Sequence, residues 1–476
     1  MNGTATERAS APATAGSRDH VIRPLVLWHL VAGMVALAIG LLAGLAFSFQ
    51  LIQRYWFPGV EWLSPGRVRI VHTNMLAYGF IANSFLGGLH WAVPRLTGRP
   101  VLSRPLSWFI FWAWQGILLA TGVGVLLGHA QAIEWGETPI FIDPVVVVGL
   151  VLAAINFLAP IVRSGGQPIY VSLWYFTAGL VWTILNYLMG NYVPQYYLPG
   201  ASGAAVTGLF IHDLVGLFVT PLGWGLMYYF VPVILKRPIW SHAVSLIGFW
   251  GLAFFYPLNG VHHYLWSPIP MFAQYGAVVA TVGVEIVVAT VFINFVATLR
   301  GSGSALATSI PLRWFYTGII FYVITCAQCS FQVLLTVQKI IHFTDWVVGH
   351  AHLVMFGVFG FWIFGITGEL WPRLVGRPWY STRLNTWHYW LVTVGTAFMV
   401  ADLTAAGLVQ GFLWRDLAPW EASLRASTPF WIARSVSGFV ILLGVVLFFV
   451  NLWMTARRPA PAGAEIPAGI PAVERA

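Results

Sequence analysis

The chain has 476 residues, of which 58% are hydrophobic and only 8% charged. A soluble domain carries about 25% charged residues, so this composition excludes a water-soluble globular protein and makes lipid the natural solvent. The net charge of +9 comes from basic residues scattered singly and in pairs between apolar runs, which excludes a nucleic-acid surface and reads as membrane-topology signal.

Residues 1–20 are polar and include Arg8 and Arg18. They read as a flexible cytoplasmic tail and lack the pattern of a cleavable signal peptide. Twelve stretches of about the 20 apolar residues a membrane span needs follow, at 24–53, 66–94, 105–127, 143–162, 169–190, 203–233, 242–264, 271–298, 311–337, 346–370, 387–412 and 428–455. Prolines such as Pro58, Pro65, Pro144, Pro268 and Pro311 punctuate the breaks. No strand alternation and no strong short-period repeat is evident. The expected fold class is therefore all-α: a polytopic membrane protein with one twelve-helix domain over 21–456 and an Ala/Pro-rich flexible tail over 457–476. With the N-terminus in the cytoplasm, 17 of the 24 basic residues fall on inner segments and 7 on outer ones. The positive-inside rule then places both termini inside.

Thirteen histidines are present. His72, His212, His262, His263, His350 and His352 fall within or at the end of spans, each toward the outer side. Ionisable residues inside spans are costly and mark function, and four helices from distant parts of the chain bring histidine to one layer. His350 and His352, two residues apart on a helix, project to roughly opposite sides at ~100° per residue and can serve two flanking planar cofactors. His262 and His263, with His212 from the preceding helix, form a three-imidazole set suited to copper and acceptably to zinc. His72 remains to pair with one of the helix 10 histidines as second axial ligand of a haem. The remaining histidines, His20, His29, His90, His129, His242, His342 and His388, lie singly near helix ends, in loops or in the tail and read as non-ligands. Cys326 and Cys329 form a C-x-x-C in an apolar stretch; a dithiol or metal site needs a polar, accessible setting, so they read as small packed residues.

Four segments, GRVRIVHTN (66–74), IHDLVGLFVTPLGWGLMYYFVP (211–232), YPLNGVHH (256–263) and HFTDWVVGHAH (342–352), carry a resemblance to subunit I of the haem-copper oxidases, specifically the C-type or cbb3-type branch. The resemblance covers most of residues 20–455. It implies that His72 and His352 ligate a low-spin haem b, that His350 is the proximal ligand of a high-spin haem b, and that His212, His262 and His263 hold copper opposite it. The A-type branch has a tyrosine four residues after the first copper histidine. Here that position is Gly216, and Tyr256 stands instead six residues before His262, as in the C-type branch. By the resemblance Tyr256 supplies the extra electron and is cross-linked to the copper histidine His212.

Tyr228 and Ser245 match positions lining the C-type proton channel. Arg67 and Arg69, just before His72, are expected to anchor haem propionates through paired hydrogen bonds. One position departs from the pattern: where C-type enzymes carry Glu in an F-E-G-P run, this chain has Phe331–Gln332–Val333–Leu334, which removes the charge and the proton. The acidic residues within spans are Asp213, Glu285, Glu369 and Asp402, and Asp213 could tune its neighbouring histidine. The implied activity is reduction of dioxygen to water as a terminal respiratory oxidase of the bacterial inner membrane, coupled to proton uptake or translocation. The absence of C-x-x-C-H leaves the electron donor to c-type cytochrome subunits or soluble cytochrome c. The alternative is a nitric oxide reductase large subunit of the same superfamily, with non-haem iron in place of copper; Gly216 and Tyr256 argue against it, since those enzymes place Glu at the first position and lack the tyrosine.

Overall fold

A computed structural model describes residues 19–164 and 169–459. Apart from Asp19, His20 and residues 457–459, the two expected tails lie outside the described residues. Among those described there is no strand. Eleven helices are long and apolar enough to cross a membrane: α1 (Arg23–Leu51), α3 (Arg104–Leu126), α4 (Ile140–Arg163), α5 (Val171–Tyr196), α6 (Ala201–Leu235), α7 (His242–Tyr264), α8 (Met271–Leu299), α9 (Ile310–Gln332), α10 (Asp345–Val375), α11 (Thr382–Arg415) and α12 (Trp420–Arg457). The twelfth span, α2 (65–97), is continuous but less apolar. Every residue from Asn83 to Pro94 on it is buried, so it faces protein on all sides and can carry Asn74, Asn83 and His90 where a lipid-facing helix could not. Among the described residues, the chain is a multi-pass membrane protein of twelve spans.

The bundle is three four-helix units, each with the same turn between its second and third helices. After α2, α6 and α10 the backbone enters the left-handed region at Gly98 (φ 66), Lys236 (φ 54) and Gly376 (φ 67). An Arg-Pro pair follows each time (Arg99–Pro100, Arg237–Pro238, Arg377–Pro378), then a serine that caps the next helix. Ser103, Ser241 and Ser381 accept from the third residue of their helices at 3.3, 3.2 and 3.2 Å. The backbone N–H of each donates to an asparagine on the helix after that, Asn156, Asn294 and Asn451, at 3.1, 3.0 and 3.0 Å. Because the turn occurs once per unit, its period is far too long to register as a short repeat.

Two expectations needed correction. The run after α7's regular part is two 3-10 turns, Tyr256–Leu258 and Gly260–Tyr264; Pro257 cannot donate the helical hydrogen bond there. Helix α9 stops at Gln332 rather than near 337, because Leu334 turns extended and a separate short helix, Leu335–Ile341, follows. His29, His90 and His388, each about two turns from an end of its helix, are buried against neighbouring helices. His29 and His90 stack at 5.5 Å, and His29 Nδ1 meets Asn83 Oδ1 at 2.6 Å.

Helices α2, α6 and α10 each loosen into π turns immediately after their histidines, at Met75–Ala82, Leu214–Val219 and Leu353–Gly360. Such widened turns are frequent at functional sites.

Candidate metal centre

His72 and His352 face one another across the α2–α10 interface, ring centres 6.0 Å apart and planes 26° from parallel. His72 Nδ1 hydrogen-bonds to the Gly40 carbonyl at 2.7 Å and His352 Nδ1 to the Val348 carbonyl at 2.8 Å. A carbonyl only accepts, so both Nδ1 atoms carry the proton and both Nε2 atoms present lone pairs. A metal–imidazole bond is about 2 Å, so two axial imidazoles on one metal ion stand roughly 6 Å apart, centre to centre. The pair fits a bis-histidine haem. Gly44 on α1 makes room for it: a Cβ there would lie 2.5 Å from His72 Nδ1.

His350, two residues away, lines a different space, a cavity it shares with His212, His262, His263, Tyr256 and Gln332. Its Nδ1 lies 3.0 Å from Gln328 Oε1 and its Nε2 3.4 Å from Cys329 Sγ. In the same cavity, the ligand atoms of His212, His262 and His263 all lie within 4.8 Å of one another. His262 Nδ1 is 2.8 Å from Thr281 Oγ1, whose own proton goes to the Ala277 carbonyl. The hydroxyl therefore accepts from Nδ1, leaving Nε2 deprotonated, buried and without a hydrogen-bond partner. An orphaned buried nitrogen of this kind is costly unless a metal takes its lone pair. His212 Nδ1 and His263 Nε2 approach at 3.0 Å. Three neutral imidazoles converging from two helices suit copper.

Tyr256 stacks on His212, ring centres 4.6 Å apart and planes 12° from parallel. Gly216 creates this contact: a Cβ there would overlap the Tyr256 ring itself. The helical position that holds a tyrosine in the A-type pattern is here the empty space into which Tyr256 enters from α7.

Arg67 donates to the Leu126 carbonyl at 3.0 Å and to Glu61 at 3.1 Å, and Arg69 lies 3.8 Å from Glu134. Buried Arg434 on α12 carries no local sequence signal that would single it out. It stacks over Phe47 on α1, one turn from Gly44, beside the His72–His352 pair, and among the described residues its side chain makes no ion pair or hydrogen bond. A buried guanidinium needs an anion; Asp345 and Asp402 are near enough to act on it without bonding to it, and a haem propionate would supply a direct partner. A haem held by the His72–His352 pair should stay bound on Arg434→Gln but move to a lower potential by tens of millivolts in a spectroelectrochemical titration, because a nearby cation favours the reduced form.

Asp213 makes no hydrogen bond to any histidine, and its buried Oδ1 has no partner. The tuning partners are Gly40, Val348, Thr281 and Gln328 instead. Cys326 and Cys329 are free thiols in the wall of the cavity rather than plain helix packing. The same wall includes His342, outside the spans, where burial pulls its imidazole below the usual range. Tyr228 is buried with its hydroxyl unpartnered and stacks on Tyr175 at 5.9 Å; Ser245 donates to its own His242 carbonyl at 2.6 Å. No hydrogen bond joins the two. Above the site, Glu137 in the α3–α4 loop accepts from Asn74 at 3.0 Å; burial raises its carboxyl above the ordinary range, opposed by that hydrogen bond.

A bundle with one facing histidine pair, His72–His352, and, two residues along α10 from His352, a histidine lining the cavity that holds a three-histidine cluster, has the layout of a haem- and copper-bearing membrane oxidoreductase. The chain belongs to the family described as cytochrome c and quinol oxidase polypeptide I, whose model matches residues 24–440; as a haem-copper family it implies both haem and copper. It is similar to cytochrome c oxidase subunit 1 of Rhodobacter capsulatus, 29% identical over 95% of this chain and 88% of that one. It is also similar to the cbb3-type cytochrome c oxidase subunit CcoN1 of Stutzerimonas stutzeri, 28% identical over 93% and 96%. A nitric oxide reductase chain of the same organism is more distant, at 24% over 93% and 97%. In fold, the chain matches a cryo-EM structure of a haem-copper terminal oxidase dimer with a TM-score of 0.77 at 15% identity, over 92% of this chain and 85% of that one.

Proposed function

We propose that the chain is the catalytic subunit of a C-type terminal oxidase, reducing dioxygen to water with electrons from a c-type cytochrome. In this reading His72 and His352 hold a low-spin haem b and His350 a high-spin haem b. His212, His262 and His263 hold copper. When bound, the haem–copper pair supplies the electrons and the binding place for dioxygen. The chain's own contribution is orientation: four Nδ1 partners, Gly40, Val348, Thr281 and Gln328, fix which nitrogen each imidazole offers. Arg434, with Arg67 and Arg69 further out, balances propionate charge. Tyr228 and Ser245 lie on the route for protons from the cytoplasm. Both termini face that side, in a bacterial inner membrane.

The observation that carries the reading is Tyr256 stacked on His212 in the space left by Gly216. Dioxygen needs four electrons, and a phenol against a copper ligand can lend one; nitric oxide reduction takes two electrons per turnover and has no such need. Metal analysis of the purified enzyme tests this directly. Copper at half the iron content is expected, whereas iron without copper, together with nitrous oxide formation, would establish the nitric oxide reductase in its place.

A further inference from the structure

We propose that Glu285 is the proton-carrying carboxyl of the metal cavity, in place of the carboxylate that the family pattern puts at position 332. This rests on the oxidase reading only for the identity of the oxygen substrate. Gln332 is buried in the cavity wall, where an amide cannot hold and release a proton. Glu285 comes from a different helix, α8, and lines the same cavity. Its Oε1 accepts from Ser330 Oγ at 2.5 Å, and Ser330 stands two residues before Gln332 on α9. The carboxyl thus leans on the very turn of α9 from which the usual acid is missing. No Lys or Arg among the described residues forms an ion pair with it. A carboxyl inside a span with no cationic partner is costly and marks function. Cys326, Cys329 and Tyr322 surround it in the wall, and none of them is a cation.

The proton balance is simple. Dioxygen, four electrons and four protons give two waters. Glu285 gives its O–H proton to a product oxygen in the cavity, becomes a carboxylate, and regains a proton from the cytoplasmic side before the next turnover. It is neither oxidised nor reduced; the electrons come from the cytochrome donor.

The test uses the assembled, metal-loaded enzyme and infrared difference spectra on reduction. The parent should show a carboxylic C=O band that shifts in D2O. Glu285→Gln should delete that band, leave haem and copper content intact and lower turnover about 100-fold, the scale of a lost general acid. Glu285→Gln combined with Gln332→Glu should restore a carboxyl band and part of the turnover. Glu285→Asp, the variant safest for assembly, should shift the band without removing it. A band unchanged in both Glu285→Gln and Glu285→Asp overturns the proposal. So does a drop in turnover without any change in the band, which would mark Glu285 as structural. Absence of copper would instead sink the oxidase reading while leaving the band assignment intact.

Discussion

Tyr256→Phe should leave both haems and the copper in place and lower oxygen consumption by more than about 100-fold, a barrier increase above about 2.7 kcal/mol. The phenyl ring keeps its stack on His212 and still fills the space beside Gly216, so folding and metal content should be unaffected. Only the hydroxyl is lost, and with it the group proposed to lend the fourth electron. Two-electron reduction of nitric oxide by the same variant should suffer much less. The resemblance to the C-type branch implies that Tyr256 and His212, whose rings are in contact, become joined by a C–N bond in the working enzyme, a ring C–H and an imidazole N–H being lost as two protons and two electrons that dioxygen accepts. Peptide mass mapping should find Tyr256 and His212 in one cross-linked species; separate peptides from fully active enzyme would refute that. The substitution Gly216→Tyr, imitating the A-type pattern alone, is no rescue, because any side chain at that position overlaps the ring already there.

The second large effect concerns the copper. His262→Ala removes the one triad nitrogen that is buried with no protein partner, and His263→Ala removes the nitrogen that meets His212. Either change leaves two imidazoles where three are needed. Copper content should fall to near zero and dioxygen reduction should stop, while optical spectra still show the haems, since His72, His352 and His350, the residues proposed to hold them, are untouched. Full copper occupancy with normal turnover in either variant would mean the three-histidine cluster is not the copper site.

Much of this site is readable in the sequence because its signals are local. A histidine in an apolar run is conspicuous wherever it folds. The H-x-H spacing of His350 and His352 sets their divergence through helix geometry alone, and the structure places one in the cavity wall and the other against His72. The adjacent pair His262–His263 likewise leads to a cluster with His212, although the backbone there is 3-10 rather than α-helical. The threefold turn ending in Ser103, Ser241 and Ser381 is equally written in the sequence. It goes unnoticed until the three asparagine contacts show that those positions do the same work.

Hydropathy and helical periodicity thus determined, from sequence alone, the membrane class, the twelve spans and the layer of histidines, because each depends on residues within a turn or two of one another. Only the tertiary structure decided which nitrogen each imidazole offers and what lies beside it. His72 takes its orientation from Gly40, 32 residues away; the pair it forms has for its nearest buried cation Arg434, from the last helix. Glu285 acquires meaning from Ser330, 45 residues on. Gly216 matters through a ring carried by another helix. Contacts such as these are set by how helices pack, and short-range pattern carries no record of the neighbour that packing will supply.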